Sequence, residues 1–350
     1  MLTSKQVKEI KEHLDKAQNP VFFFDNDPDG LCSFLIMRRF CGKGKGVQVK
    51  SYPAMNKDYF RKVDELKADY VFILDKPVVE KDFFEEAAKI NIPVVWIDHH
   101  DVQAEVPDYV HYYNPMLNKK KTNEPVTHLC YQISNKREDL WLDVVGCVSD
   151  HFYPETYPDF AKTFPELTFD SKEPFDILYK SQIGKVIMII GFALKDTTTN
   201  VVNMMKFLLK AKNPYDVLEE TNENKAIHGR FSEIAKKYEK LLGKAKAIAD
   251  SNNDNKLLFF QYSGDTSMSS DLSNELMYLF PEKIIVIIRV NGLTANISAR
   301  GENVRDLILK SIKDIPNSRG GGHEKAVGGQ MLAGDLEKFK VNLEKLINSS

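Results

Sequence analysis

The stretch Val21-Phe-Phe-Phe-Asp25-Asn-Asp-Pro-Asp-Gly30 joins a short apolar run to a group of carboxylates. Three similar runs follow within the first 115 residues: Val47–Tyr52, Tyr70–Asp75 and Pro93–Asp98. Each is nearly continuous in apolar residues, which is typical of strands buried on both faces of a parallel sheet. Helix-like segments lie between them, at Leu31–Phe40, Tyr59–Leu66 and Lys81–Lys89. This alternation predicts an α/β fold with a doubly wound, mainly parallel sheet.

The remainder of the chain predicts a helical extension and a second, smaller α/β domain. Residues 116–250 look mostly helical, with apolar helices at Asp139–Asp150 and Ile183–Leu194 and a charged one at Lys225–Asp250. Beyond Ser251-Asn-Asn-Asp-Asn255, a predicted linker, helix and strand patterns return: Leu257–Tyr262, Ser270–Phe280, Ile284–Val290, Leu293–Ala299, Val304–Ile312 and Asp335–Ile347. Asn291-Gly292 predicts a two-residue hairpin turn. We therefore expect a catalytic domain over 1–222, a connection over 223–255 and a substrate-binding domain over 256–350.

The composition of the chain disfavours several classes of function. The 350 residues include 48 Lys+Arg and 50 Asp+Glu, so the net charge is -2 and no overall basic excess points to long duplex nucleic acid. The four cysteines lack CxxC spacing, which favours a reducing compartment. The N-terminus lacks a signal-peptide core, and no apolar run approaches the ~20 residues of a membrane helix. We expect a soluble cytoplasmic protein without a membrane partner, and a homodimer is possible.

Carboxylates end three of the four apolar runs, at Asp25, Asp75 and Asp98. Ligand sites of such sheets lie beyond the carboxyl ends of the strands, so these side chains should converge. Asp25, Asp27 and Asp29 are expected in one loop, with Gly30 opening a helix. Three carboxylates at alternate positions repel one another unless a cation lies among them, and hard divalent cations prefer oxygen ligands. The alternative is an Asx-rich turn without a ligand.

The segment Asp98-His99-His100-Asp101 closes the fourth run. At a strand end, one imidazole can ligate a metal while its neighbour donates to a phosphate oxygen; a surface pair is the alternative. Asp75 suits a bridge between two metals, although alone it could cap the next helix. Asp150 ends the apolar run 144–149 and is a weak signal by itself.

Together these residues resemble the DHH phosphoesterase superfamily. The second half resembles that family's DHHA1 domain, whose GGGHxxAxGG motif is similar to Gly320–Gly329 and whose SxR strand is similar to Asn296–Arg300. The resemblance implies that Asp27 binds one metal and Asp29 the second, and that Asp75 bridges them. It also implies that His99 and Asp150 complete the second site. His100 would contact the scissile phosphate as a catalytic residue, together with Asp98.

The resemblance also implies a metal cofactor and a set of substrate-binding residues. Two cations about 4 Å apart can share a hydroxide and stabilise the attacking and leaving oxygens. Mixed carboxylate and imidazole ligands suit Mn²⁺, with Mg²⁺ or Co²⁺ possible. The glycine loop would bind substrate phosphate through these residues: Ser298, Arg300, Gly321, Gly322 and His323. Many members carry a His where this chain has Phe23, and Asp25 is expected to take its place as a ligand. His128, Cys147 and His151 are interpreted as structural.

The sequence leaves several functions open. The leading one is a two-Mn²⁺ phosphodiesterase acting on short single-stranded oligonucleotides or nucleotides, because the chain shows no OB-like domain and no long basic tract. A RecJ-type exonuclease on long DNA or RNA strands is the main alternative. A cyclic dinucleotide phosphodiesterase and a polyphosphatase also remain. A binding protein on a degenerate core is disfavoured by the complete ligand set.

Overall fold

The first sheet is wholly parallel and contains five strands. A computed structural model describes residues 1–50, 54–101, 105–251 and 255–348. The strands are β1 (Pro20–Asp25), β2 (Lys45–Val49), β3 (Tyr70–Leu74), β4 (Val94–Ile97) and β5 (Val110–Tyr113). Their order is β2-β1-β3-β4-β5. The order reverses between β1 and β3, so a crevice is expected at the carboxyl ends of these two neighbouring strands.

Helices cover both faces of this sheet. They are α1 (Ser4–Lys16), α2 (Pro28–Cys41), α3 (Lys57–Leu66), α4 (Lys81–Lys89), α5 (Val126–Ser134), α6 (Leu140–Ser149), α7 (Tyr157–Thr163), α8 (Pro174–Lys180), α9 (Gln182–Ala193), α10 (Thr198–Leu208), α11 (Tyr215–Leu218) and α12 (Lys225–Ser251). Successive side chains of a strand point to opposite faces. In β1, Phe23 therefore packs in the core with α3 and α4, while Phe22 and Phe24 pack in the core that contains α2, α5, α6 and α9.

A second, mixed sheet forms after α12. It consists of β6 (Leu257–Ser263), β7 (Ile284–Asn291), β8 (Thr294–Arg300), β9 (Arg319–His323) and β10 (Ala326–Leu332), in the order β6-β7-β8-β10-β9. Its helices are α13 (Ser269–Leu279), α14 (Val304–Ile312) and α15 (Leu336–Asn348). The chain divides into two compact units, Met1–Phe231 and Ser232–Ser350, and the division falls inside α12. The predicted α/β class with a parallel first sheet and a second α/β domain is confirmed.

Helix α2 begins earlier than predicted. Asp29 and Gly30 lie in its first turn rather than in a loop, and Asp27 is its N-cap, accepting from the amide of Gly30 at 2.9 Å. Pro28 occupies the first turn, where its missing N–H costs nothing. A Cβ on Gly30 would lie 2.6 Å from the carbonyl oxygen of Asp25, so only glycine lets the helix start this close to β1.

The structure differs from the sequence predictions at three other places. Strand β5 was not predicted, because Val110-His-Tyr-Tyr113 is short and mixed in polarity. The glycine motif is not a loop: β9 and β10 pair across it, with Gly321 opposite Gly328. The β7–β8 turn lies one residue later than predicted, since Asn291 pairs with Thr294. Strand β2 ends at Val49, and the predicted end at Tyr52 lies outside the described residues.

Candidate metal centre

The carboxyl ends of β1, β3 and β4 carry the acidic residues that the sequence predicted to converge. Asp25 is the last residue of β1, Asp75 follows β3, and Asp98 follows β4. The amide of Asp75 donates to the carbonyl of Ile97, and the amide of Asp98 donates to the carbonyl of Tyr113, both at 3.0 Å. These bonds continue the ladder beyond the strands and fix the carboxylates at one edge of the sheet.

Asp29 is held by two backbone amides. Its side chain is 2% exposed, and its two carboxylate oxygens accept from the amides of Val126, at 3.0 Å, and Thr127, at 2.8 Å. Both donors lie at the N-terminus of α5, where backbone amides have no partner within the helix. The Thr127 hydroxyl also donates to the backbone carbonyl of Asp29 at 2.7 Å. The start of α5 therefore fixes a candidate ligand carried by α2.

Asp75 combines an unusual backbone with an unsatisfied carboxylate. Its φ is +60°, in the left-handed region that residues other than glycine adopt rarely, Asn and Asp more often than the rest. Its Oδ1 atom is buried and accepts no hydrogen bond from the residues that the structure describes. Burial, with the nearby charges of Asp29, Asp27 and Asp25, raises the pKa of Asp75 well above its ordinary value.

His99 joins two groups of potential ligand atoms. Its Nδ1 lies 3.1 Å from the carbonyl oxygen of Asn123, which requires the proton on Nδ1 and leaves Nε2 as a free lone pair. That Nε2 lies 3.5 Å from Oδ1 of Asp75 and 3.7 Å from Oδ2 of Asp150. Side-chain oxygen and nitrogen atoms lie within 4.8 Å of one another in two sets: Asp75 with His99 and His100, and Asp29 with His99 and Asp150.

The donor set fits a divalent cation. Burial and the charges of Asp25 and Asp29 raise the pKa of Asp27 to about 8, so the carboxylates destabilise one another without a counter-charge. The unsatisfied oxygen of Asp75 and the free Nε2 of His99 face the same space. Carboxylates and a neutral imidazole are ligands of Mn²⁺ and related ions. The structure thus brings together Asp75, His99, His100, Asp29 and Asp150, with Asp27 electrostatically coupled to them.

Asp98 orients His100 rather than facing the other carboxylates. Its fully buried Oδ1 lies 2.8 Å from Nδ1 of His100, and its Oδ2 accepts from the hydroxyl of Tyr112 at 3.3 Å. Burial lowers the pKa of His100, but the hydrogen bond and charge of Asp98, with the charges of Asp150 and Asp27, outweigh it and raise that pKa. The pair therefore favours a protonated imidazole close to the carboxylates.

Asp25 has a partner that the sequence analysis did not anticipate. The Lys76 side chain, 3% exposed, places its ammonium 2.8 Å from Oδ1 of Asp25. The indole of Trp96 donates to the Lys76 carbonyl at 2.9 Å, which fixes the backbone there. Part of the negative charge of Asp25 is thus already balanced by a lysine next to Asp75.

Replacing Asp25 with Asn tests its assignment as a ligand. We expect Asp25→Asn to weaken Mn²⁺ binding by about tenfold or more, whether Asp25 binds the ion or shields it from Lys76. Electron paramagnetic resonance of free Mn²⁺ measures this without activity. In Asp25→Asn/Lys76→Met, a persisting defect assigns Asp25 as a ligand, and recovery assigns it as the partner of Lys76. Unchanged binding in the single variant would remove Asp25 from the metal site.

The second unit holds the other predicted site residues. Arg300 donates through Nε to Asn274 at 2.6 Å and through Nη2 to Ser270 at 3.1 Å, both on α13. Ser298 is buried and lies 2.9 Å from the hydroxyl of Ser273. The other three predicted residues, all exposed, lie on β9: Gly321, Gly322 and His323. Gly322 has φ +143°, and a Cβ there would lie 2.3 Å from the carbonyl oxygen of Ala326.

A buried polar network joins α5 and α6, and it contains His128 and Cys147, which the sequence analysis interprets as structural. His128 Nδ1 lies 2.9 Å from Oδ1 of Asp143, and the Cys147 thiol lies 3.5 Å from the same oxygen. The Thr156 hydroxyl donates to the other oxygen of Asp143. Asp143 was not singled out from the sequence, although an acidic residue inside the apolar segment 140–149 is a signal for a buried partner.

Comparison with known proteins identifies the first unit. Residues 21–148 match the family model described as the DHH family, N-terminal domain. This part of the chain carries a DHH-family N-terminal domain. The match runs from β1 to the end of α6 and includes Asp27, Asp29, Asp75, His99 and His100. No curated protein matches the sequence significantly.

Solved structures show the same fold over nearly the whole chain. RecJ from Thermus thermophilus in complex with Mn²⁺ is 14% identical, with a TM-score of 0.72 over 99% of this chain and 54% of the RecJ chain. An exonuclease RecJ bound to manganese is 13% identical, with a TM-score of 0.67 over 99% and 94%. An exopolyphosphatase-related protein from Bacteroides fragilis is 13% identical, with a TM-score of 0.52 over 99% and 97%.

Two further findings concern the length of the chain and the character of its helices. This chain spans about half the length of the Thermus RecJ chain. In addition, none of the helices among the described residues is long and apolar enough to cross a membrane.

Proposed function

We propose that this DHH protein is a divalent-metal-dependent phosphodiesterase that hydrolyses short single-stranded oligonucleotides or nucleotides. The observation that carries the proposal is His99: a backbone carbonyl fixes its Nδ1 proton, and its Nε2 faces the carboxylates of Asp75 and Asp150. A histidine held in this tautomer is prepared to donate its lone pair to a metal. The DHH family match and the manganese-bound RecJ structures support the same class of chemistry.

The proposed metal ligands are divided between two ions, most favourably Mn²⁺. Asp27 would hold one ion, Asp29, His99 and Asp150 would hold the other, and Asp75 would be available to both. When bound, the ions supply positive charge at the phosphate and lower the pKa of an attacking water. The amides of Val126 and Thr127 hold Asp29 in place, and the carbonyl of Asn123 orients His99.

His100 has a separate role in this proposal. Because Asp98 stabilises its protonated form, His100 donates a charged hydrogen bond to a phosphate oxygen and compensates charge that develops there. Asp98 is the positioning residue, since it binds the Nδ1 side of the ring. This arrangement requires no proton transfer from Asp98 itself.

The second unit is proposed to bind substrate. Asn274 and Ser270 hold the guanidinium of Arg300, and charged hydrogen bonds from such a group to phosphate contribute roughly 1.5–3 kcal/mol. Together with Arg300, the proposed contacts are Ser298, Gly321, Gly322 and His323. Domain limits of 1–222 for catalysis and 256–350 for substrate binding remain part of the proposal, as does a cytoplasmic location.

A RecJ-type exonuclease on long strands is the second candidate. The likeness to RecJ over 99% of this chain favours it, as does a run of three exposed lysines near His99. The two candidates share the metal chemistry and differ in how much of the strand is bound.

A substrate screen with Mn²⁺ tests the proposed function. We expect hydrolysis of single strands, with initial rates that peak between about two and five nucleotides, because a site that binds a terminal nucleotide and the few phosphates next to it gains little from greater length. The measurement is initial rate against length, from dinucleotide to 30-mer. Cyclic dinucleotides and polyphosphate are included as competing substrates. Rates that keep rising with length would assign the protein to the RecJ-type candidate, and cleavage confined to polyphosphate would overturn the proposal.

A further inference from the structure

Three consecutive lysines project from a loop of the first unit. Lys119, Lys120 and Lys121 lie between the short 3₁₀ helix Pro115–Leu117 and α5, and all three are exposed. None of their ammonium groups forms an ion pair or hydrogen bond with any residue in the described part of the chain. Exposed lysines elsewhere on this unit often pair along a helix, as Lys5 does with Glu9. The three positive charges of this lysine loop are therefore available to a ligand.

The lysine loop is fixed at both ends. Asn118 and Gln6 exchange side-chain hydrogen bonds at 3.0 and 3.1 Å, which holds the start of the loop to α1. At the other end, the carbonyl of Asn123 accepts from His99 at 3.1 Å. The N-terminal ammonium of Met1 also binds Thr122 and Glu124 at this end. The loop thus has a defined position, and one of the side chains that hold it is a proposed metal ligand.

This attachment places the lysines near the metal centre. Lys121 lies two positions before Asn123, and a fully extended chain spans at most about 3.5 Å per residue, so their Cα atoms lie within about 7 Å. Lys120 and Lys119 lie three and four positions before Asn123, so their Cα atoms lie within about 14 Å of it. We expect phosphates that flank the scissile one to come within reach of these side chains.

The negative charges of the candidate metal centre give the lysine loop a role in binding a polyanion. Asp25, Asp27, Asp29, Asp75 and Asp150 make this edge of the sheet acidic, which repels a polyanion except at the metals. Exposed lysines beside an acidic centre provide attraction for the flanking phosphates and raise the association rate at low ionic strength. A single phosphate needs one such charge, whereas three consecutive charges suit a chain of phosphates.

We propose that Lys119, Lys120 and Lys121 bind the sugar–phosphate backbone of a single-stranded nucleic acid next to the scissile phosphate. This inference rests on the proposed phosphodiesterase function and adds a substrate requirement. Strands of several nucleotides are bound more tightly than dinucleotides, and the added affinity depends on salt. Contacts to phosphate carry no base preference, so the loop does not discriminate among sequences.

The test compares two triple variants with equal loss of charge. Lys119→Gln/Lys120→Gln/Lys121→Gln removes the loop charges. The matched control, Lys206→Gln/Lys210→Gln/Lys212→Gln, changes three exposed lysines at the end of α10. Lys210 and Lys212 line a cavity of about 630 Å³ with Arg38 and Arg39, at the end of α2 opposite Asp27. At 1.5 Å per residue, that end lies about 15 Å from Asp29.

Fluorescence anisotropy of a labelled 12-mer, measured at about 50 and 200 mM salt, gives the decisive readout. Each phosphate contact contributes about 0.7 to the slope of log Kd against log salt for single strands, so the loop variant should lower this slope by up to about 2. Its affinity at low salt should fall about tenfold or more, and kcat/KM should fall more for the 12-mer than for a dinucleotide. The control variant should match the wild type.

Equal slopes and affinities in the loop variant and the wild type would overturn the inference. A loss of the same size in both triple variants would also overturn it, since the effect would then be one of overall charge. If the wild type binds the 12-mer through the loop but cleaves no phosphodiester with any divalent metal, the inference stands and the proposed function fails. Thermal denaturation of each variant verifies folding.

Discussion

Asp75→Asn is expected to lower kcat by at least about a thousandfold, and excess Mn²⁺ is not expected to restore it. The buried Oδ1 of Asp75 accepts no hydrogen bond among the described residues and lies 3.5 Å from Nε2 of His99, so it is placed to contact an ion directly. An amide of the same size removes the negative charge and can direct an N–H toward the cation. A thousandfold loss corresponds to about 4 kcal/mol of transition-state stabilisation.

Steady-state kinetics across a Mn²⁺ titration measure this effect. Asp64→Asn makes the same chemical change at an exposed position of α3 and should leave kcat unchanged. Thermal denaturation without metal should show that Asp75→Asn is folded. Burial and nearby like charges raise the pKa of the Asp75 carboxylate, so its removal should not destabilise the protein. Turnover within tenfold of the wild type, or recovery at high Mn²⁺, would refute the bridging role.

His100→Ala is expected to lower kcat by about 10²–10³-fold while Mn²⁺ binding is retained. The ring of His100 is held by Asp98 at 2.8 Å. In the proposed function its charge contacts a phosphate oxygen, and His100 does not serve as a metal ligand. His99→Ala is the matched comparison, because it removes an adjacent imidazole and should instead weaken Mn²⁺ binding. Asp98→Asn should lower kcat by about 10–100-fold, since it removes the group that orients and charges His100.

Two measurements separate these roles. Mn²⁺ binding by electron paramagnetic resonance identifies ligands, and kcat at saturating Mn²⁺ identifies groups that contact the phosphate. Equal losses of Mn²⁺ affinity in His100→Ala and His99→Ala would make both residues ligands. Near wild-type kcat in His100→Ala would remove it from the catalytic residues.

The sequence predicted the parallel sheet well because its strands carry a strong local signal. Val21–Asp25, Tyr70–Asp75 and Pro93–Asp98 are apolar and end in acidic residues, and the structure places strands β1, β3 and β4 there within one residue at each end. Strand β5 escaped prediction because His111 and two tyrosines interrupt its apolar pattern; it is formed by pairing with β4. A strand that forms through its neighbour has little signal of its own.

The sequence predicted which ionisable residues lie together at this edge of the sheet and missed the contacts that support them. Asp29 and His99 stand in recognisable motifs, but the amides of Val126 and Thr127 and the carbonyl of Asn123 that hold them are backbone groups. Every residue has such groups, so their role depends on tertiary structure alone. The pairing of Lys76 with Asp25 was missed for a related reason, since the two residues lie 51 positions apart.

The glycine motif shows that residue types alone do not distinguish a loop from a pair of strands. Glycines around His323 suggested a loop, yet β9 and β10 pair through Gly321 and Gly328. Glycine weakens a strand on its own, but it also permits close approach of another backbone. Composition could not distinguish these two uses.

The left-handed backbone at Asp75 has a consequence for the evolution and engineering of this protein. An L-residue in that region costs of order 1 kcal/mol relative to glycine, and here the residue also carries a buried carboxylate without a hydrogen bond. Selection for thermal stability alone would therefore favour Asp75→Gly, which relieves the backbone and deletes the charge together. A library screened only by melting temperature would accumulate this substitution and lose catalysis. Retention of aspartate at position 75 during such a screen requires selection for turnover at the same time.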